Sequence, residues 1–152
     1  MFQLDKSVKF INIDFKGQLL IIESIIYLAV MRLAIIILPL AKVLRIIGYS
    51  ESKVLYGQNN ANELIATRVA WAVKIISKYT FWENTCLVQA LSVIAMLKKR
   101  NIYCLMYLGV ARDMTKSNNI IAHAWSQYGK SILTGEYEFE KYTIIAIYGH
   151  HV

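Results

Sequence analysis

The sequence predicts an α+β fold in which the helices come first and an antiparallel sheet follows. Three observations support this class. A long apolar stretch runs over residues 17–47, and two later segments, about 62–78 and 85–99, repeat apolar residues at three- and four-residue steps, as amphipathic helices do. After Asn101 the pattern changes to short runs rich in β-branched and aromatic residues, separated by turn residues.

The first 60 residues form a predicted N-terminal helical region. Residues 17–47 are nearly all apolar, but Glu23 and Arg32 interrupt them, and Pro39 should end or kink a helix. We interpret them as one or two helices that are buried or face a partner. Attachment to a membrane surface is the second interpretation. A spanning helix is the third, because a true span usually has a cleaner run of about 18 or more apolar residues.

Residues 61–152 form the predicted core domain. The polar segment 49–61 should connect the two regions, with a turn at 57–60. Strands are predicted at 102–110, 120–127, 130–133 and 142–148, with a loop at 113–119 and a tight reversal at Tyr128-Gly129.

Composition and charge narrow the function classes. Apolar residues make up 57% of the 152 residues and charged residues 18%, which excludes a disordered chain. The net charge of +7 is spread thinly, so nucleic acid is not the expected partner, whereas an anionic peptide or a membrane surface fits equally well. Two cysteines and three histidines provide neither a disulfide scaffold nor a metal cluster, and no cofactor is expected. The start of the chain has no signal-peptide pattern, so we expect a cytoplasmic protein.

Cys86 is the candidate nucleophile. It begins the second amphipathic helix, directly after Asn84 and Thr85, either of which can cap that helix. The first turn of a helix presents unpaired backbone N–H groups and the positive end of the helix dipole, and both favour an anion there. A thiolate is the nucleophilic form of cysteine. The alternative is a small buried residue, which a cysteine usually is.

His123 is the candidate base. It lies 37 residues after Cys86 in the middle of a predicted strand, between two alanines, and shares a face with Ile121 and Trp125. Alone, it would be interpreted as a hydrogen-bonded core histidine. A thiol at a helix start together with a histidine on an adjacent strand is the arrangement that cysteine hydrolases use.

A third group should orient the imidazole. Glu136, just after Thr134-Gly135, is the first candidate and Gln127 the second, whereas Glu138 and Glu140 are interpreted as solvated charges. The other chemistry-bearing residues receive no catalytic role. They are Cys104, which should be a core residue, and the terminal pair His150 and His151.

Two blocks resemble a known family, the leader peptidases of lasso-peptide biosynthesis. These are the transglutaminase-like B proteins of the corresponding gene clusters. The first block, residues 69–110, contains Cys-Leu-Val-Gln-Ala at 86–90, a basic helix end and Leu-Gly-Val at 108–110. The second is Ala-His-Ala-Trp at 122–125. The resemblance covers roughly residues 65–148, and both blocks have the order and spacing of the family.

The resemblance implies a papain/transglutaminase-like core and a cysteine peptidase that cuts a ribosomally made precursor between leader and core. It makes Cys86 the nucleophile and His123 the base. Family members often carry Asp-Gly in the turn after the histidine strand, where this chain has Tyr128-Gly129, so Glu136 becomes the substitute acid. The N-terminal residues look like helices rather than a leader-recognition domain. We therefore expect the split type, which acts with a separate leader-binding protein and a lasso cyclase.

Two other functions remain open at this point. A non-enzymatic, membrane-associated assembly subunit would use residues 17–47 and leave Cys86 merely buried. An acyl transferase would keep the same Cys-His pair and differ only in whether water or an amine resolves the thioester.

Overall fold

The computed structural model describes residues 13–51, 59–113, 115, 119–137 and 139–150. Four α-helices and five strands make up this part of the chain. The helices are α1 (Phe15–Ile37), α2 (Leu40–Ile47), α3 (Asn60–Ser77) and α4 (Cys86–Lys98). The strands are β1 (Tyr49–Glu51), β2 (Leu105–Arg112), β3 (Ile120–Tyr128), β4 (Ser131–Thr134) and β5 (Thr143–His150), with a short 3-10 helix, Phe139–Lys141, before β5.

The sheet is antiparallel throughout, with strand order β1-β5-β2-β3-β4. β2 pairs along its whole length with residues 120–127 of β3, and this register sets Gly109 opposite His123. β4 pairs with β3 on one side only and is therefore an edge strand. The α+β class predicted from the sequence is confirmed.

The first N-terminal helix ends before Pro39, as the sequence indicated, and the second ends at a glycine. α1 stops at Ile37, Pro39 caps α2 in an extended conformation, and α2 ends at Gly48, whose φ of 83° lies in the left-handed region. Only glycine adopts this region readily, so Gly48 turns the chain from α2 into the sheet.

One hydrophobic core joins the predicted N-terminal region to the predicted core domain. Every residue of α4 from Val88 to Leu97 is buried except Gln89, which is half-buried. The helix packs on α1, α3 and β3. Leu28 of α1 and Leu44 of α2 belong to the same cluster of buried side chains as Leu91 and Met106. The described residues of 1–60 and those of 61–152 therefore share one hydrophobic core.

α1 has a buried face and an exposed face. Ser24 is fully buried, and its hydroxyl donates to the Leu20 carbonyl of the preceding turn (2.8 Å). Glu23 pairs with Lys99 (3.3 Å) and with Arg100 at the end of α4, and Arg32 pairs with Glu83 (3.4 Å). Both charges that interrupt the apolar stretch are thus tied to the rest of the domain.

Among the described helices, α1 alone is long enough and apolar enough to cross a membrane. This is weak support for a span, since core helices and signal sequences meet the same criteria. The outer residues of α1 are strongly exposed; for example, Phe15 is 72% and Ile37 73% exposed.

One predicted element is wrong. Residues 49–51 were expected to belong to a polar connector, but they form β1, in which Tyr49 pairs with His150 near the other end of the chain. Local composition gives no sign of this strand because the distant end of β5 induces it. Two of the four residues of the turn expected at 57–60 lie outside the described residues, and the other two cap and begin α3. Most of the loop expected at 113–119 also lies outside the described residues.

Candidate active site

A cleft of about 1330 Å³ lies between α3 and the β4 edge of the sheet, and Cys86 and His123 both line it. α3 forms one wall, and β4 with the residues after it forms the other. The remaining lining residues on these walls are Thr67, Ala70, Trp71, Lys74, Ile75, Ser77, Lys78, Ser131, Ile132, Leu133, Gly135, Glu136 and Tyr137, with Gln89 of α4 beside Cys86.

Cys86 is the first residue of α4, as the sequence predicts. The Thr85 hydroxyl caps the helix by accepting from the Val88 N–H (3.4 Å). The half-buried thiol of Cys86 therefore lies at the N-terminal end of α4, where the backbone N–H groups have no partner within the helix. Gln89, one turn on, donates to the Asn84 carbonyl (3.2 Å) and so ties the helix to the loop before it.

His123 is held by a backbone group and by aromatic rings. Its Nε2 lies 2.8 Å from the Gly135 carbonyl oxygen. A carbonyl only accepts, so Nε2 carries the proton, and in the neutral ring the lone pair is on Nδ1. The Tyr142 ring stacks on the imidazole at 4.7 Å between centroids and Trp125 at 5.9 Å. This leaves Nδ1 as the basic atom of the site.

Two glycines make room for this packing. A Cβ on Gly109 would lie 2.8 Å from the Tyr142 Cβ, closer than side-chain contacts allow, and 3.0 Å from Trp125 Cζ3, which is tighter than most such contacts. Gly135 has a φ of 74°, and a Cβ there would lie 2.5 Å from the Ala124 oxygen and 3.1 Å from His123 Nε2. The carbonyl that holds the imidazole therefore depends on a residue without a side chain.

Glu136 lines the same cleft, but its carboxylate contacts Lys74 on the opposite wall (2.8 Å). Partial burial alone would raise the pKa of Glu136. The hydrogen bond from Lys74, a backbone hydrogen bond and the charges of Lys74 and Lys78 outweigh it and lower that pKa. The ion pair joins the two walls one residue away from the Gly135 carbonyl.

The structure thus gathers Cys86, His123 and Glu136 around one cleft, and the imidazole of His123 is hydrogen-bonded to the Gly135 carbonyl. Gln127, the other candidate for orienting the imidazole, donates to the Gly129 carbonyl (2.7 Å). The roles of Cys86, His123 and Glu136 stay predictions.

The residues that received no catalytic role lie elsewhere. Cys104 is buried in the core, as predicted, and burial raises the pKa of its thiol to about 12. His150 Nδ1 lies 2.8 Å from the Gly48 carbonyl oxygen, and its ring stacks on Tyr103. His151 lies outside the described residues. In the part of the chain that the structure covers, no three His, Cys, Asp or Glu side chains are grouped to hold a metal.

Sequence reasoning missed the contributions of the α3 wall and of the Gly135 backbone. Trp71, Lys74, Ile75 and Lys78 recur at three- and four-residue steps on one face of α3, and that spacing could have identified a polar and aromatic wall. Every residue has a main-chain carbonyl, so residue type does not show which one contacts His123. The only sign of Gly135 in the sequence is its position directly before Glu136.

Comparison with known proteins gave one match. A family model described as the transglutaminase-like superfamily matches residues 30–146, from the middle of α1 into β5. Searches of curated proteins and of solved structures each found no match. The matched residues contain the whole cleft, including Cys86, His123 and Glu136. The chain therefore belongs to the transglutaminase-like superfamily, which includes cysteine peptidases.

Proposed function

We propose that this protein is a cysteine peptidase that removes the leader from a ribosomally made lasso-peptide precursor. The observation that carries the proposal is the placement of Cys86, at the first residue of α4, on the same cleft as His123 of β3. Membership of the superfamily supports a cysteine-dependent reaction. The resemblance of residues 86–90 and 122–125 to lasso leader peptidases supports the substrate.

The reaction follows from the two side chains. His123 takes the proton of the Cys86 thiol at Nδ1, and Sγ attacks the carbonyl carbon of the scissile peptide bond. The Cys86 backbone N–H is a suitable donor to the developing oxyanion, because it belongs to the unpaired first turn of α4. The imidazolium then protonates the departing amine, the C–N bond breaks, and a thioester remains. Water resolves the thioester, gives its proton to His123, and releases the leader carboxylate and the free thiolate.

The Gly135 carbonyl has the orienting role in this scheme. It accepts from Nε2–H in both the neutral and the charged imidazole, so the ring keeps one orientation through the cycle. Glu136 remains a proposed contributor. It acts through its ion pair with Lys74, which holds the segment that carries this carbonyl.

The proposed partners are the precursor leader, a separate leader-binding protein and a lasso cyclase, in the cytoplasm. The exposed side of α1 supports a protein partner. Seven of its apolar residues form a stripe with three- and four-residue steps, the spacing by which helices pack on one another. We name these residues the outer stripe: Phe15, Leu19, Ile22, Ile26, Val30, Leu33 and Ile37, each at least half exposed. We assign the stripe to the leader-binding protein.

The test is cleavage of a lasso precursor supplied together with a leader-binding protein, followed by mass spectrometry. Cys86→Ala and His123→Ala should each lower the rate by at least about a thousandfold, because such residues act as a unit. Circular dichroism and thermal unfolding establish that both variants are folded. Wild-type turnover by a folded Cys86→Ala protein would refute the peptidase.

Two other functions make different predictions. For a non-enzymatic, membrane-associated assembly subunit, supported by the exposed outer stripe, both variants would keep full function in the complex. For an acyl transferase, the product of an added amine would carry the mass of an amide instead of an acid. The same cleavage assay with and without a primary amine distinguishes hydrolysis from transfer.

A further inference from the structure

The cleft carries more positive than negative charge. Apart from His123, its charged lining residues are Lys74, Lys78 and Glu136. Lys74 is already paired with Glu136, whereas no ion pair is found for Lys78 among the described residues. Lys78 is close enough for its charge to act on Glu136. An anionic group entering the cleft would therefore meet an ammonium group whose charge is not already taken up by a paired carboxylate.

The wall that carries Lys78 also offers an apolar surface. Trp71 and Ile75 lie three to seven positions before Lys78 on the cleft side of α3, and Trp71 remains 39% exposed. An indole and a lysine on one helix face, about two turns apart, can receive an apolar side chain and an acidic one from the same ligand.

The opposite wall suits an extended chain. β4 is an edge strand, and Ser131, Ile132 and Leu133 line the cleft along it. An edge strand presents backbone N–H and C=O groups that a peptide in extended conformation can pair with. Side chains of such a peptide alternate in direction, so every second one would face α3.

We propose that the cleft binds an extended peptide that places an acidic side chain against Lys78 and an apolar side chain on Trp71. This inference rests on the proposed peptidase function and names its substrate class. Lys74 and Glu136 form an ion pair without net charge, so Lys78 supplies the net positive charge of the cleft.

Binding to the Cys86→Ala protein tests the inference without any turnover. Three pools of fluorescein-labelled dodecapeptides carry uncharged residues at random, except for one central position fixed as Glu, Gln or Lys. By fluorescence anisotropy at low salt, the Glu pool should bind about fivefold more tightly than the Gln pool, as a partly exposed charge-assisted contact permits. The preference should weaken as salt is added.

Charge reversal provides the decisive comparison. In the Cys86→Ala background, Lys78→Gln should remove the preference for Glu, and Lys78→Glu should transfer it to the Lys pool. Lys42→Glu makes the same charge change at an exposed position of α2 away from the cleft, and should leave the preference intact. A Glu preference that survives in Lys78→Glu, or equal or absent binding of all three pools, overturns the inference.

The experiments distinguish a failure of this inference from a failure of the proposed peptidase function. Precursor cleavage that depends on Cys86, together with no charge preference, would leave the peptidase standing and refute only this substrate class. Binding that depends on the charge of residue 78, in a protein that cleaves no precursor, would support the acidic peptide as ligand and refute the peptidase.

Discussion

The two cysteines of this protein differ in environment, and the difference sets how each should react. Cys86 is half-buried on the cleft, whereas Cys104 is buried in the core with its pKa raised to about 12, which keeps it a thiol at neutral pH. Because alkylation requires an accessible thiolate, iodoacetamide should label Cys86 at least about a hundredfold faster. Mass spectrometry of digested protein measures both rates.

The roles of the two thiols in catalysis should separate in the same way. Cys104→Ala should keep the cleavage activity with a modest loss of stability, since it only shortens a core side chain. Faster labelling of Cys104, or an inactive but folded Cys104→Ala protein, would mean that the nucleophile is assigned to the wrong thiol.

The main-chain carbonyl of Gly135 is hydrogen-bonded to His123, so Gly135 should be sensitive to substitution. Gly135→Ala places a methyl group 3.1 Å from His123 Nε2 at a φ of 74°. We expect this change to displace the imidazole and lower kcat/KM by about a hundredfold or more. Gly48→Ala is the matched control, because Gly48 also has a positive φ but lies away from the cleft. Equal activity losses in the two variants would show that strain alone, and not the His123 anchor, explains the effect.

The position of Glu136 predicts an indirect effect on the rate. Glu136→Gln removes the charge that pairs with Lys74 and should lower the cleavage rate about three- to tenfold, far less than His123→Ala. Lys74→Gln should cause a similar loss, and the double variant should lose little more, because both changes break one contact.

A triad acid would behave differently. Glu136→Gln would then cost much more than Lys74→Gln, and the two losses would multiply. An unchanged rate in Glu136→Gln would remove Glu136 from the site and leave the orienting role to the Gly135 carbonyl or to Gln127.

Among the elements, α1 is joined to the end of α4 by an ion-pair cluster, in which Glu23 in the first half of α1 contacts Lys99 and Arg100 just after α4. Burial would raise the pKa of Glu23, but hydrogen bonds and charges from Arg100 and Lys99 outweigh it and lower that pKa below its ordinary 4.5. A carboxyl group with a lowered folded pKa stabilises the protein above its unfolded pKa, and loses this contribution as the pH falls through the folded value.

Glu23→Gln should accordingly lower the free energy of unfolding by about 1 kcal/mol at pH 7, a value reduced for partial exposure. Urea unfolding should show a smaller difference between variant and wild type at pH 3, below the ordinary pKa of 4.5, because the unfolded chain binds a proton there and the contribution of the lowered pKa is reduced. Glu140→Gln, at an exposed position of the 3-10 helix, should change little at either pH. A difference that is the same at both values of pH would contradict the assigned ionisation.

The elements that could be predicted from the sequence are those whose pattern is local. α4 begins at Cys86 because Thr85 caps an amphipathic run, and α1 ends before Pro39 because proline cannot continue it. β1 could not be predicted, since its three residues become a strand only by pairing with the end of β5. Cys86 and His123 could be chosen by residue type, whereas the carbonyl of Gly135 and the Lys74–Glu136 contact depend on the tertiary fold.

At the scale of the whole molecule, the outer stripe is the largest departure from an ordinary soluble surface. Its seven exposed side chains leave roughly 700 Å² of apolar surface, against about 300–600 Å² for the largest patch on a typical monomer. That area is close to what one partner contributes to a stable protein–protein interface, about 800 Å². The stripe is therefore large enough to form the apolar part of an interface with a protein partner.

A spanning role fits α1 less well. Its inner face packs on α3 and α4, and both Glu23 and Arg32 are ion-paired within the domain. Moving α1 into a bilayer would break these contacts and place charges at the membrane centre, which costs roughly 2.5–3.5 kcal/mol for each on insertion scales.

We therefore predict that Leu19→Glu combined with Leu33→Glu weakens binding to the leader-binding protein at least about tenfold, because two charges would enter an apolar interface. Both positions are exposed, so the variant should fold, dissolve better than wild type and keep fast labelling of Cys86. Ile120→Glu, at a position 73% exposed on β3, is the control for adding charge to an apolar surface residue outside the stripe. Calorimetry measures the affinity, and sedimentation velocity measures the association state.

Unchanged affinity in the double variant would exclude the stripe as the partner site. Flotation of wild type, but not of the double variant, with anionic vesicles would assign the stripe to a membrane surface, and sedimentation with membranes that survives alkaline washing would favour a spanning helix.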